Sequence, residues 1–220
     1  MTARTLSRAS LALLVTLAAG AIACSSSSTA GTNAAASSDP SASAAAASAS
    51  AATVANAPAV GNAAPVKVRI LTTEGTIVVE LDPAHAPLSV ANFLHYVDQK
   101  FYDGGTFFRA IPGFVIQGGN KPRESPGDST VALEDPQKTG LRNVNGAIAM
   151  ARTSDPNSAT SEFFLDDGPQ SSLDGSPDSP GYAVFGHVVS GMDVVRKIAR
   201  LPANAEYLVK PIKIVKIERL

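Results

Sequence analysis

The 220-residue chain has no tryptophan, one cysteine, three histidines and three methionines. Each shortage removes a class of chemistry. One cysteine cannot form an internal disulfide, so the fold must be held by its core. His85, His95 and His187 are far apart and belong to no metal-ligand spacing, and His95 falls on a predicted helix, where a surface or capping role fits it. There is no Gly-x-Ser-x-Gly and no P-loop. With 18 basic and 19 acidic residues the net charge is -1, and no concentrated basic stretch offers a surface to nucleic acid. The paired carboxylates Glu134-Asp135 and Asp166-Asp167 fall in loop-like stretches and read as solvated. Acid–base and nucleophilic enzymes are therefore poorly supported. Any reaction run here should need no titrating group, no metal and no cofactor.

Long hydrophobic runs are scarce too. The longest, "LALLVTLAAGAIA", has 13 residues, too few to span a bilayer comfortably. It follows Arg4 and Arg8 and ends in small residues directly before Cys24, the order of parts in an export signal. "AIAC" resembles the lipobox of bacterial lipoproteins, with Ala21 where leucine is usual. The resemblance implies a signal over residues 1–23 and lipidation of Cys24, anchoring the chain to a membrane in the cell envelope, facing outside the cytoplasm in a periplasm or on the cell surface. Ser25 supplies no aspartate retention signal, which leans toward an outer membrane. Cleavage before Cys24 would leave 16 basic and 19 acidic groups, a net of -3.

Residues 24–64 are almost wholly Ser, Ala, Gly, Thr, Asn and Pro. Such a stretch has too few large side chains to offset the entropy of ordering and reads as a disordered linker. As a flexible coil its root-mean-square reach is about 35 Å, enough to tether a domain without fixing its orientation.

Residues 65–220 change character, to Val, Ile, Leu and Phe punctuated by turn residues, and read as one domain. It is long enough to bury about two-thirds of its unfolded surface. "VKVRILTT" and "GTIVVELDP" alternate around Glu74-Gly75 and predict a hairpin. Val90, Phe93, Leu94 and Val97 recur at three and four after Pro87, predicting a helix. "TFFRAI", "FVIQGG", "GAIAMA", "SEFFL" and "YAVFGHVV" are short strand candidates. "GMDVVRKIARL" has helical spacing, and "PIKIVKIERL" closes as a strand. The pattern fits a mainly β domain with two helices, either a closed antiparallel barrel or a sandwich.

One stretch narrows the choice. "FFRAIPGFVIQGG" resembles the signature of the cyclophilins, the peptidyl-prolyl cis-trans isomerases. "APLSVANFLHYVDQKFYDGGTFF", "GLRNVNGAIAMARTSDPNSATSEFF", "LDG" and "GYAVFGHVVSGMDVVRKIA" follow in the family's order, in the style of its periplasmic bacterial branch. The resemblance implies a closed eight-stranded antiparallel β-barrel capped by two α-helices. It also implies acceleration of X–Pro exchange in proline-containing segments of exported proteins, by a domain working as a monomer. A noncatalytic module that binds proline segments or scaffolds an envelope complex is the alternative.

Carried over residue by residue, Arg109 matches the catalytic arginine, Phe114 and Val115 the apolar pocket, and Gln117 the substrate-binding glutamine. Phe164 and Leu173 match the pocket's far wall, and Ala151 and Arg152 a backbone strip that pairs with the peptide. Read singly, Arg109 would be a solvated strand residue and the phenylalanines ordinary core. Ile111, Ile116, Val184 and Phe185 are read as barrel packing. Some positions depart from the family. Phe108 replaces a histidine, Ser172 a tryptophan of some eukaryotic members, and Tyr182, at a substrate-binding position, a histidine. Glu162 stands at a substrate-binding position where many members have glutamine, and its charge is expected to be able to pair with Arg109.

Overall fold

The computed structural model describes residues 63–119 and 130–220. The export signal, Cys24 and almost all of the linker read from the sequence lie outside the described residues.

Strands β1 (Val66–Thr72) and β2 (Gly75–Leu81) form the expected hairpin, with Val66 opposite Leu81 and Thr72 opposite Gly75. Helix α1 (Pro87–Asp98) begins at its proline and buries Val90, Phe93, Leu94 and Val97. Its own N-cap residue, Ala86, makes no side-chain bond. Glu134 caps it from a distant loop instead, its carboxylate accepting from Leu88 N and Ser89 N at 2.8 Å each. Strands β3 (Thr106–Ile111) and β4 (Val115–Gly118) follow. A single helical turn, α2 (Pro136–Thr139), is capped by Asp135 and ends at Gly140, whose φ is +78°.

Strands β5 (Ala147–Met150) and β6 (Phe163–Asp166) precede a two-stranded ribbon of β7 (Gly175–Ser176) and β8 (Ser179–Pro180). Then come β9 (Val184–Ser190), helix α3 (Met192–Ala199), the short β10 (Ala203–Asn204) and β11 (Tyr207–Arg219). Eight strands run in the order β1-β2-β9-β5-β6-β4-β3-β11, and β11 pairs back onto β1. Every pair is antiparallel. The sheet is a closed barrel, not a sandwich, and closure leaves none of its eight strands with an open edge. The two longer helices are those the spacing predicts, while α2 is too short to show a periodicity.

Strand alternation divides the buried side chains into two sets. Ile116, Ile148, Phe163, Leu165 and Phe185 point into the main core with Phe93 and Phe107. Phe93 meets Phe163 edge-on at 5.4 Å, and Phe107 meets Phe163 at 5.8 Å. Val115, Ala149, Phe164 and Val184, each one residue from a member of the first set, form a second cluster on the opposite face. There Phe114, Leu173 and Tyr182 cover them. The barrel thus has an apolar exterior patch as well as an interior. Ile116, Val184 and Phe185 are buried as read, whereas Ile111 is only partly covered.

Two readings need correction. Asp166 and Asp167 are not solvated loop residues. Asp166 ends β6 with no exposed surface, and Asp167 is 5% exposed. Their run of polar letters hides a strand end that other loops cover. The last strand also starts earlier than "PIKIVKIERL" suggests, at Tyr207. Its register against β3 breaks between Tyr207 and Ile212, so Pro211, which has no N–H to give, sits in an irregular segment.

Candidate active site

The first thing that positions Arg109 is a bulge. Strict alternation in "TFFRAI" would put Arg109 on the inward face with Phe107. Instead Phe107 pairs with Gly118 and Arg109 with the adjacent Gln117, so β3 carries one extra residue. Phe107 and Ala110 are buried, and Arg109 turns outward beside Gln117. The bulge also explains a glycine: a Cβ on Gly118 would lie 2.7 Å from the Phe107 ring and 2.8 Å from the Thr106 carbonyl oxygen.

Arg109 borders a cavity of about 190 Å³. That is room for a ring-sized group. Phe114, Val115, Phe164, Leu173 and Tyr182 line it, with Gln117, Ala151 and Arg152 completing it. The rings of Phe164 and Tyr182 meet edge-on at 5.6 Å. Among the residues read as substrate-binding, only Glu162 is absent from the lining.

The polar groups are held in a chain. Arg109 donates through one terminal nitrogen to Gln117 Oε1 at 3.2 Å, and Gln117 Nε2 donates to Glu162 Oε2 at 2.8 Å. Glu162 therefore does not take up Arg109, as its charge suggested it could. It can only accept, so it draws the amide end of Gln117 and leaves the amide oxygen facing the guanidinium. The direct carboxylate partner is Glu206, which accepts from Arg109 Nε at 2.7 Å. Sequence reading missed Glu206. It lies 97 positions from Arg109, on a turn brought alongside only when β11 pairs with β3. No local motif could have flagged it.

Arg152 also differs from expectation in part. Its guanidinium donates to the carbonyl oxygens of Pro180, Gly181 and Thr153 and lies 4.5 Å from the Tyr182 ring centre. The side chain thus braces the wall behind Tyr182. The Ala151 N–H is already bonded to the Glu162 carbonyl at 2.9 Å. The turn that presents Phe114 is clamped from below. Asp167 accepts from Gly113 N at 3.0 Å, and Gln170 Nε2 donates to Gly113 O at 2.8 Å. Phe108 stacks on Tyr207, and Ser172 is exposed on a 3-10 turn. Among the described residues, no three His, Cys, Asp or Glu side chains converge to hold a metal ion.

The Arg109 guanidinium borders this cavity on a closed antiparallel barrel, the fold the resemblance implied. Residues 67–219 match the model of the cyclophilin type peptidyl-prolyl cis-trans isomerase/CLD family. The chain belongs to this family. It is 41% identical over 157 residues to a peptidyl-prolyl cis-trans isomerase of Acinetobacter baylyi, covering 69% of this chain and 84% of that one. To peptidyl-prolyl cis-trans isomerase A of Dickeya dadantii it is 42% identical over 148 residues, covering 67% and 78%. The crystal structure of a Cryptosporidium parvum cyclophilin type peptidyl-prolyl cis-trans isomerase superposes with a TM-score of 0.62 at 24% identity, over 71% of this chain and 98% of that one, and shares the fold. The same parasite enzyme in the presence of the dipeptide Ala-Pro gives 0.60 at 26% identity, over 70% and 98%. The activity of this cyclophilin is accordingly peptidyl-prolyl cis-trans isomerisation.

Proposed function

We propose that this cyclophilin isomerises X–Pro bonds by donating a hydrogen bond from Arg109 to the prolyl nitrogen. An amide resists rotation because nitrogen shares its lone pair with the carbonyl, a barrier of roughly 18–20 kcal/mol. Halfway round, the lone pair returns to a pyramidal, basic nitrogen. A donor aimed there stabilises the twisted state over both planar ones. Guanidinium serves without losing its proton. Phe114, Val115, Phe164 and Leu173 hold the ring and exclude water, which strengthens the donor. Gln117 and the backbone around Ala151 and Arg152 hold the flanking peptide, with Glu162 orienting Gln117 and Tyr182 closing the far side.

The observation that carries this reading is the guanidinium tied at Nε and at one terminal nitrogen, at the edge of the apolar cavity, while its remaining N–H groups have no partner among the described residues. The magnitudes fit. Moving exchange from tens of seconds to milliseconds needs about 10⁴-fold, or about 5.5 kcal/mol. One preorganised donor supplies roughly 2.7–4 kcal/mol, and positioning with desolvation the rest. Arg109→Ala should lower kcat/KM about 10²–10³-fold in an X–Pro exchange assay, and Arg109→Lys should lose activity too, since an ammonium lacks the planar fork. An Arg109→Ala variant with undiminished turnover removes the mechanism. The noncatalytic alternative had its support in Glu162, whose charge could draw off Arg109, and in Phe108, which stacks on Tyr207. The Glu162 carboxylate engages Gln117 instead.

The substrates we propose are proline-containing segments of exported proteins, with the domain working as a monomer tethered through a lipidated Cys24. The support is the sequence order of a short basic start, a 13-residue apolar run, "AIAC" and a low-complexity linker. Cys24→Ser should release the protein from the membrane fraction of cells expressing it. Unchanged membrane retention would remove the anchor.

A further inference from the structure

We propose that Glu206 is a positioning residue for Arg109, an inference that rests on the donor role given to that arginine. Arginine ends a long, freely rotating chain, so a guanidinium useful in a transition state has to be held beforehand. Gln117 steadies one terminal nitrogen at 3.2 Å, a neutral contact near the limit of a hydrogen bond. Glu206 takes Nε at 2.7 Å, a short charge-assisted bond at the root of the guanidinium plane. A bond there sets the final torsion of the side chain and leaves the outer edge free to face the cavity. Arg109 is 23% exposed, so its carboxylate partner also offsets part of the cost of covering the charge.

Glu206 is itself held in place. It is the second residue of the two-residue turn between Asn204 and Tyr207. The first, Ala205, takes φ +56°, a left-handed conformation more usual for glycine. The Glu206 carbonyl accepts from Ala110 N at 2.8 Å, one residue beyond Arg109. Tyr207 pairs with Arg109 in the sheet and stacks on Phe108 with ring centres 6.4 Å apart. Both flanks of the carboxylate are thus pinned to the strand that carries the arginine. Phe108, where the resemblance places a histidine, supplies the ring for that stack.

The test is steady-state exchange of an X–Pro peptide by the full-length protein, with kcat and KM resolved. The expected result is that Glu206→Ala lowers kcat about fivefold to tenfold, the effect of one charge-assisted bond at a half-exposed site, with KM changed less than twofold. Glu206→Gln, which still accepts from Nε, should recover most of the loss. Adding Glu206→Ala to Arg109→Ala should slow the enzyme no further. Turnover of Glu206→Ala equal to or above wild type overturns the proposal, as does a loss that persists in the Arg109→Ala background. If Arg109→Ala itself keeps full activity, the donor role fails first. If Arg109→Ala is crippled while Glu206→Ala is not, the donor role stands and the positioning role falls.

Discussion

Asp166→Asn should make this cyclophilin more stable, and by an amount set by pH. Asp166 has no exposed surface, and neither carboxylate oxygen finds a hydrogen-bond partner among the described residues. Burial, with the charge of Asp174 adding to it, pushes its carboxyl up to about 8. An unfolded aspartate titrates near pH 3.9. Between those values the native state keeps a proton that the unfolded state has released. Stability therefore falls as pH rises through this window, by up to about 1.4 kcal/mol per pH unit. Below about pH 4 the effect is absent, and above about pH 8 it is complete. Four pH units at full slope would be about 5.5 kcal/mol, and relaxation with water entry brings such buried-charge costs to roughly 2–4 kcal/mol.

Asparagine keeps the shape and cannot ionise. The two proteins should be within about 1 kcal/mol at pH 4, and the variant should lead by about 2–4 kcal/mol at pH 8. For a domain of this size that is roughly 5–15 °C in Tm. Urea unfolding followed by far-UV circular dichroism, at one-unit steps from pH 4 to pH 9, reads the difference directly, since there is no tryptophan to follow by fluorescence. A stability gap that stays constant across that range would refute the reasoning, because Asp166 would then ionise alike in both states.

The other predictions concern what holds the site's scaffold. Glu134→Ala removes the carboxylate that accepts from Leu88 N and Ser89 N. It should cost about 1–2 kcal/mol in urea unfolding, the loss of a helix cap, while leaving kcat/KM near wild type. Gly118→Ala places a methyl against the Thr106 carbonyl and the Phe107 ring. It should destabilise by about 1–3 kcal/mol and also reduce turnover, because the bulge that aims Arg109 would have to shift. A Gly118→Ala protein with wild-type kcat would show that Arg109 does not depend on that bulge.

Much of the site could be read without coordinates, for a specific reason. Phe114, Val115 and Gln117 lie within nine residues of Arg109, on one β3–β4 hairpin, so local letters carry their relative placement. Phe164 comes from β6 and Tyr182 from the stretch before β9, and only the family's order of segments linked them to the pocket. Glu206 and the clamp of Asp167 and Gln170 under Gly113 carried no such mark. They depend on which loops meet when the barrel closes, and a lone acidic or amide letter in a turn looks solvated until then.

By itself the sequence located the barrel strands and the two longer helices, through alternation, three-four spacing and the proline that opens α1, and it pointed to the family through "FFRAIPGFVIQGG". It also placed one permanent cation among aromatics, because that is a property of side chains. Which way that cation faces was decided only in three dimensions. Plain alternation sends Arg109 inward, and a single extra residue in β3 opposite Gly118 turns it out toward the cavity. The burial of Asp166 and the pairing of Arg109 with Glu206 were decided the same way, because both come from contacts between segments far apart in the chain.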